Sequence, residues 1–332
     1  MMAVLISAVL SAALCGGYLV LARRWQILDR PNARSSHQRP TPHGGGAPLL
    51  LAFSVGLLLA AWWHGPWHSA YVTLAVAALF LMLLGVIDDL RGLSVRLRFA
   101  IYGVICLLVA ATLLAPVLGP LFTQDALYGS LLLLVVAIAM LWSLNLYNFM
   151  DGIDGIAATQ CIVACSSAAL LSWFAGGNLS YALFCLLLAA SHLGFLLWNW
   201  PAARLFMGDA GSIPTGFLLA GLALLGAVQG QLNPLCWVVL LSAFITDASG
   251  TLLWRVVSGQ PFTQPHRLHA YQRLSRYWGS HQAVDMLLLA LNALWLFPLA
   301  WAVQIWPNYG ILLVILAYLP LLFGMAKTAK LA

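Results

Sequence analysis

All nine acidic residues of the chain are aspartates: Asp29, Asp88, Asp89, Asp125, Asp151, Asp154, Asp209, Asp247 and Asp285. A merely solvated surface would use Glu as well, so short carboxylates alone point to a geometric task. In "NLYNFMDGIDG", Asn145, Asn148, Asp151 and Asp154 recur every third position. A three-residue step turns a helix by about 300°, so Asn145, Asn148 and Asp151 share a face while Asp154 drifts off it. A second cluster, Asp88-Asp89, ends "GVIDD", and a third, Asp209, sits in "NWPAARLFMGDAGS". Clustered carboxylates repel one another and are costly near hydrocarbon unless a cation offsets them. Magnesium, with manganese as its substitute, suits such hard oxygen ligands and commonly takes one or two carboxylates plus substrate phosphates.

The elements that must position these groups are membrane spans. With 332 residues, 63% of them hydrophobic and only 7% charged, the chain fits an all-α polytopic membrane protein, a single membrane-embedded domain over 1–332. Hydropathy places about eleven spans, near 3–22, 48–64, 69–87, 99–118, 129–146, 156–174, 179–198, 212–228, 235–254, 283–304 and 309–326. With the N-terminus periplasmic and the C-terminus cytoplasmic, all fifteen Lys and Arg fall on the inner face, as the positive-inside rule requires. The net charge of +6 therefore reports orientation and gives no reason to invoke nucleic acid. The first segment, followed by Arg23-Arg24, reads as an uncleaved span. Only Asp125 lies outside; the other carboxylates gather at inner span ends, with Asp285 just inside a span. For Asp247 the choice between helix cap and support of a site stays open, and His281 is expected to be solvated. An ion-coupled transporter is the competing class, although its carboxylates would normally lie at mid-membrane.

The stretches "DRPNARSSHQRPTPHGGG", "DDLRGLSVRLR", "NLYNFMDGIDGIA", "NWPAARLFMGDAGS" and "PHRLHAYQRL" resemble, in order over Asp29 to Leu274, the polyprenyl-phosphate N-acetylhexosamine-1-phosphate transferases, glycosyltransferase family 4. The His-Arg-Leu-His-Ala-Tyr-Gln form is similar to the O-antigen-initiating bacterial branch. It departs from the His-rich loop of the alternative, the peptidoglycan phospho-MurNAc-pentapeptide translocase.

The resemblance implies a magnesium-dependent transfer at the cytoplasmic face of the bacterial inner membrane. Its substrates would be undecaprenyl phosphate and a UDP-N-acetylhexosamine, either UDP-GlcNAc, UDP-FucNAc or UDP-QuiNAc, with a homodimer as the candidate assembly. Carried over by position, Asp209, Asp88 and Asp89 are the expected metal and catalytic carboxylates, with Asp88 as base or positioning group. Asn148, Asp151, Asp154 and Asn199 match positions around the nucleotide, and Phe206 the aromatic that stacks on uracil. His266, Arg267 and His269 match a loop over the diphosphate and sugar. Arg34 and His37 belong to a first cytoplasmic loop bordering the same site. Arg91, Arg96 and Arg98 read as topology signals.

Overall fold

The computed structural model describes residues 1–31, 39–260 and 266–331, and these are helical almost throughout. Helices α1 (Met2–Arg24), α2 (Gly46–His64), α3 (Ser69–Arg91), α4 (Val95–Gln124) and α5 (Ala126–Phe149) are followed by α6 (Ile156–Phe174), α7 (Leu179–Asn199) and α8 (Asp209–Val228). A broken pair, α9 (Pro234–Leu240) and α10 (Ser242–Val257), precedes the short α11 (Ala270–Trp278). The chain closes with α12 (His281–Leu291), a π-helical turn at Asn292–Leu296, α13 (Phe297–Ile305) and α14 (Gly310–Thr328). The two-residue strands β1 (Leu28–Asp29) and β2 (Thr41–Pro42) pair antiparallel. Among the described residues, ten segments are long and apolar enough to cross a membrane, eleven if the broken pair counts as one span.

Local chemistry explains where the helices begin. Ser94, Asp125, Asn178, Asn233 and Ser280 each accept a backbone amide of the helix that follows, satisfying a donor the first turn leaves free. Asp125, the one outer carboxylate, is thus the cap of α5.

The structure corrects the hydropathy reading in two places. The ninth span is not straight: α9 and α10 meet at 69° around Leu241. The bend frees the Leu240 carbonyl, and it accepts from Gln160 Nε2 at 2.8 Å, while Gln160 Oε1 accepts from Asn292 Nδ2 at 3.1 Å. An unsatisfied carbonyl in hydrocarbon costs several kcal/mol, on the order of a lost hydrogen bond or more, so this amide pair is what makes the bend tolerable. The second correction is α11, an amphipathic helix inside the segment read as a loop; it buries Tyr271, Gln272 and Ser275.

Helices α6, α7 and α8 form the enclosed centre, with α1, α2, α3 and α5 packed around them, whereas α14 buries little of its surface. The start of α8 is held unusually close to its neighbours. A methyl group at Gly46 would collide with the backbone of Gly211, and one at Gly85 would come 2.6 Å from Ala210 Cα. Glycine at these two positions lets α2 and α3 press directly against the first turn of α8.

Candidate active site

Three chain ends converge where α3 and α5 finish and α8 begins. Asp88 Oδ1 accepts from the Leu93 amide at 2.6 Å, and its Oδ2 pairs with Arg98 Nη1 of α4. The same Nη1 donates to Asp209 Oδ2 at 3.0 Å. Asp209 Oδ1 accepts from Asn148 Nδ2 at 2.7 Å, and that amide also donates to Ser212 Oγ at 2.9 Å. One guanidinium and one carboxamide therefore join α3, α4, α5 and α8.

Asp89 acts differently. Its two oxygens accept the amides of Asp209 and Ala210 at 3.2 and 3.3 Å, so a carboxylate on α3 caps α8 in place of a local side chain. Gly208 enters that turn at φ 72°, a conformation glycine adopts without strain. Negative charge at a helix N-terminus is favourable by about 0.3–1 kcal/mol.

The strap before α2 is zipped to the loop before α8. Phe206 N donates to Pro42 O at 2.8 Å, Gly45 N to Phe206 O at 2.9 Å and Gly46 N to Met207 O at 2.9 Å. Phe206 is thereby fixed, half-buried, beside Asp209. His43 lies on this strap within electrostatic reach of Asp29 and Asp209; burial lowers its pKa and the two carboxylates partly restore it. Arg34 and His37 fall outside the described residues.

Asn199 and Asp154 tie loops together. Asn199, 3% exposed, accepts the Gly155 amide at 3.0 Å and donates to Leu205 O at 3.0 Å. Asp154 Oδ2 accepts the Ala203 amide at 3.0 Å and lies 3.2 Å from His281 Nδ1. His281 is thus the partner of Asp154, contrary to the expectation of a solvated side chain. Asp151 has no such bracket: burial, then Asp209, Asp89 and Asp154, push its carboxyl well above the usual range.

Pro265 falls outside the described residues, and the stretch from His266 to Leu274 is anchored by Asp247. Its Oδ1 accepts the Ala270 amide at 2.8 Å and Thr251 Oγ1 at 3.2 Å, and its Oδ2 accepts the Tyr271 amide at 2.9 Å. Asp247 on α10 therefore caps α11, repeating the device by which Asp89 caps α8. His269 Nδ1 sits 3.2 Å from the same carboxylate, and its ring lies 4.8 Å from that of His266. Burial, then His269 and Arg255, push His266 down to about 4. Tyr271 donates to Phe149 O at 3.0 Å, docking α11 on the end of α5. Arg267 stands between the two histidines in sequence, and its carbonyl accepts from Arg276. His266 meets the Leu268 amide and the His269 ring, and His269 meets Asp247 and the Tyr271 ring, so both histidines are tied to the α10–α11 corner rather than to Asp88, Asp89 and Asp209.

Among the described residues, no three His, Cys, Asp or Glu gather as a metal site. Asp88 Oδ2 and Asp209 Oδ2 nevertheless converge on one positive nitrogen. Two hard oxygens beside an open approach suit magnesium completed by substrate phosphates. Asp89, with both oxygens on backbone amides, fits the capping role better than a ligand's.

An apolar cavity of about 690 Å³ lies among α10, α11, α12 and α14, lined among others by Met150, Phe244, Tyr271, Leu288, Pro320 and Lys327. Met150 directly precedes Asp151, so the cavity reaches the turn that carries the carboxylates.

Sequence reasoning missed Arg98, His43 and His281 as members of the site. Arg98 follows Asp88 by ten residues and a turn, a separation that no periodicity marks.

The chain is similar to known proteins over most of its length. The glycosyl transferase family 4 model matches residues 71–227. A decaprenyl-phosphate N-acetylglucosaminephosphotransferase of Mycobacterium leprae is 30% identical over 299 residues, 81% of this chain and 75% of the relative. A probable undecaprenyl-phosphate N-acetylglucosaminyl 1-phosphate transferase of Bacillus subtilis is 27% identical, with 77% of this chain and 71% of the relative covered. The undecaprenyl-phosphate alpha-N-acetylglucosaminyl 1-phosphate transferase of Escherichia coli K12 is also 27% identical, over 81% and 75%.

Proposed function

The chain belongs to glycosyl transferase family 4, and from that premise we propose that it transfers N-acetylhexosamine-1-phosphate from a UDP-sugar to undecaprenyl phosphate at the cytoplasmic face of the bacterial inner membrane. A phosphate oxygen of the lipid attacks the β-phosphorus of the UDP-sugar. The bond from that phosphorus to the bridging oxygen breaks, and UMP leaves with the electron pair. The donor is UDP-GlcNAc, as the names of the relatives suggest, or its 6-deoxy kin UDP-FucNAc and UDP-QuiNAc; the product would initiate O-antigen or a related envelope glycan.

The observation that carries the reading is the Asp88–Arg98–Asp209–Asn148 constellation, with an apolar cavity that reaches the adjoining turn at Met150. Phosphoryl transfer requires mainly positioning and charge neutralisation. Asp209 and Asp88 would hold magnesium, which supplies neutralising charge at the diphosphate when bound. Asn148 fixes the Asp209 carboxylate, and Asp89 fixes the turn on which Asp209 stands. Phe206 offers a ring at the rim for the uracil. Asp151 and Asp154 would border the nucleotide, while His266, Arg267 and His269, in the segment that leads into α11, would close over the diphosphate and sugar. The acceptor phosphate is already ionised at neutral pH, so Asp88 has little deprotonation to perform and would act on that phosphate through the cation it holds. The apolar cavity suits the first isoprene units of a lipid whose tail stays in the bilayer.

The test is incubation of purified protein with undecaprenyl phosphate, magnesium and a panel of UDP-sugars, with UMP and lipid product read by mass spectrometry. Release of UMP with a polyprenyl-diphosphate sugar is expected. Absence of product from every N-acetylhexosamine donor would defeat the reading.

A further inference from the structure

Helix α4 starts beside the carboxylates and turns two polar side chains toward them. Arg98 Nη1 is held by Asp88 Oδ2 and Asp209 Oδ2, and the side chain keeps 27% exposure. Four residues on, and so on the same face of the helix, stands Tyr102. It is 2% exposed, and its hydroxyl has no hydrogen-bond partner among the described residues. Asp209, Arg98, Asp88 and Asp89 all act on it electrostatically. A buried hydroxyl left without a partner costs about 1–3 kcal/mol. A half-buried guanidinium and an orphan hydroxyl, one turn apart at a carboxylate pair, make a donor set with capacity to spare.

The oxygens that Arg98 holds are those a divalent cation would take. A guanidinium and a divalent ion cannot share them, since like charges about 4 Å apart repel by roughly 4 kcal/mol per unit pair even at an effective dielectric of about 20. A displaced Arg98 keeps five donors in a planar fork that matches phosphate. We propose that Arg98 and Tyr102 form a phosphate-binding face on α4, closed while Arg98 holds Asp88 and Asp209 and released when a divalent cation takes the place of Arg98. Cation and phosphate then bind cooperatively, each strengthening the other by the same factor. The phosphate part of this inference rests on the transferase reading; the exchange of cations does not.

The experiment measures Mn2+ binding by electron paramagnetic resonance on the purified full chain without lipid or nucleotide sugar. Arg98→Gln removes the charge and leaves a shorter polar amide, and it should tighten Mn2+ binding by roughly tenfold or more. Arg96→Ala removes the same charge from an exposed position two residues away and should change it less than about twofold. Unchanged or weaker binding in Arg98→Gln, or an equal effect in Arg96→Ala, overturns the exchange. Farnesyl phosphate and UDP are then titrated with and without Mn2+. Mn2+ should strengthen binding of at least one of them in the natural protein but not in Arg98→Gln. Tyr102→Phe, a conservative change, should leave Mn2+ affinity intact and weaken a phosphate probe by roughly three- to tenfold. Loss confined to farnesyl phosphate assigns the face to the lipid acceptor; loss confined to UDP assigns it to the donor. No loss with either removes Tyr102 and the phosphate face. Cation exchange without any lipid product would leave this inference standing while the transferase reading fell.

Discussion

Replacing Asp247 with alanine should unfasten α11 while the rest of the bundle holds. The carboxylate accepts two backbone amides, Ala270 at 2.8 Å and Tyr271 at 2.9 Å, together with Thr251 Oγ1. Hydrogen bonds to a charged group contribute about 1.5–3 kcal/mol each when the partner is buried. Water can reach part of the vacated turn, so a local loss of about 3 kcal/mol is a fair figure for the pair. At about 1.4 kcal/mol per factor of ten, amide exchange over 270–279 should accelerate on the order of a hundredfold. Tyr271 still donates to Phe149 O, so the helix stays tethered and its first turn frays most. Hydrogen exchange with mass-spectrometric readout in detergent reports this segment by segment. Asp247→Asn keeps one good acceptor and should fall between, near tenfold. Unchanged protection of 270–279 in Asp247→Ala, or acceleration spread evenly through α6 and α7, would refute the assignment of Asp247 as the cap.

Asp209→Asn should abolish UMP release while melting stays near that of the unaltered protein, whereas Asp125→Asn should be silent because Asn caps α5 nearly as well as Asp; turnover in Asp209→Asn with unaltered magnesium dependence would contradict the metal role. Arg267→Lys should lower kcat by roughly ten- to a thousandfold with a smaller change in KM, the loss of a planar fork over a diphosphate; full activity would reduce Arg267 to a point charge. Because His266 is held near a pKa of about 4, against an ordinary 6.5, it gains its proton in the unfolded chain first. Its effect on stability is absent above about pH 6.5 and grows as a penalty as pH falls toward 4, so melting of the natural protein should drop more steeply over that window than melting of His266→Ala. Parallel curves would count against the burial of this ring. All six natural cysteines are buried, so single cysteines at Gln124 and Tyr277, both exposed, should report topology cleanly. An impermeant reagent should label only the first from outside, and the reverse pattern would invert the orientation.

Much of this site can be read before folding, because its signals are local. Asp88-Asp89, Asn148 and Asp209 lie at the ends of apolar runs, and hydropathy alone brings those ends to one face. Arg98 looked like a topology signal because a basic residue in a short inner loop already has that explanation. Its partner Asp209 is 111 residues away, and only packing reveals it. Asn199 shows the same limit from the other side: its type and place marked it as important, yet sequence cannot distinguish an amide that meets a nucleotide from one that brackets Gly155 and Leu205. The bend at Leu241 escaped because hydropathy counts residues without recording their direction. Its tolerance depends on Gln160, eighty residues earlier.

The two borrowed caps impose an order on assembly. Helix α8 starts on a carboxylate owned by α3, and α11 starts on one owned by α10. In both pairs the carboxylate is synthesised before the helix it completes. As the chain enters the membrane from its N-terminus, Asp89 must wait at the water boundary through four further spans before the amides of Asp209 and Ala210 arrive. Asp247 waits only for the next turn of chain. The carboxylate cluster therefore cannot close until α8 is laid down, and in a nascent chain stopped before that point Asp89 lacks the two amides it caps and Arg98 lacks Asp209.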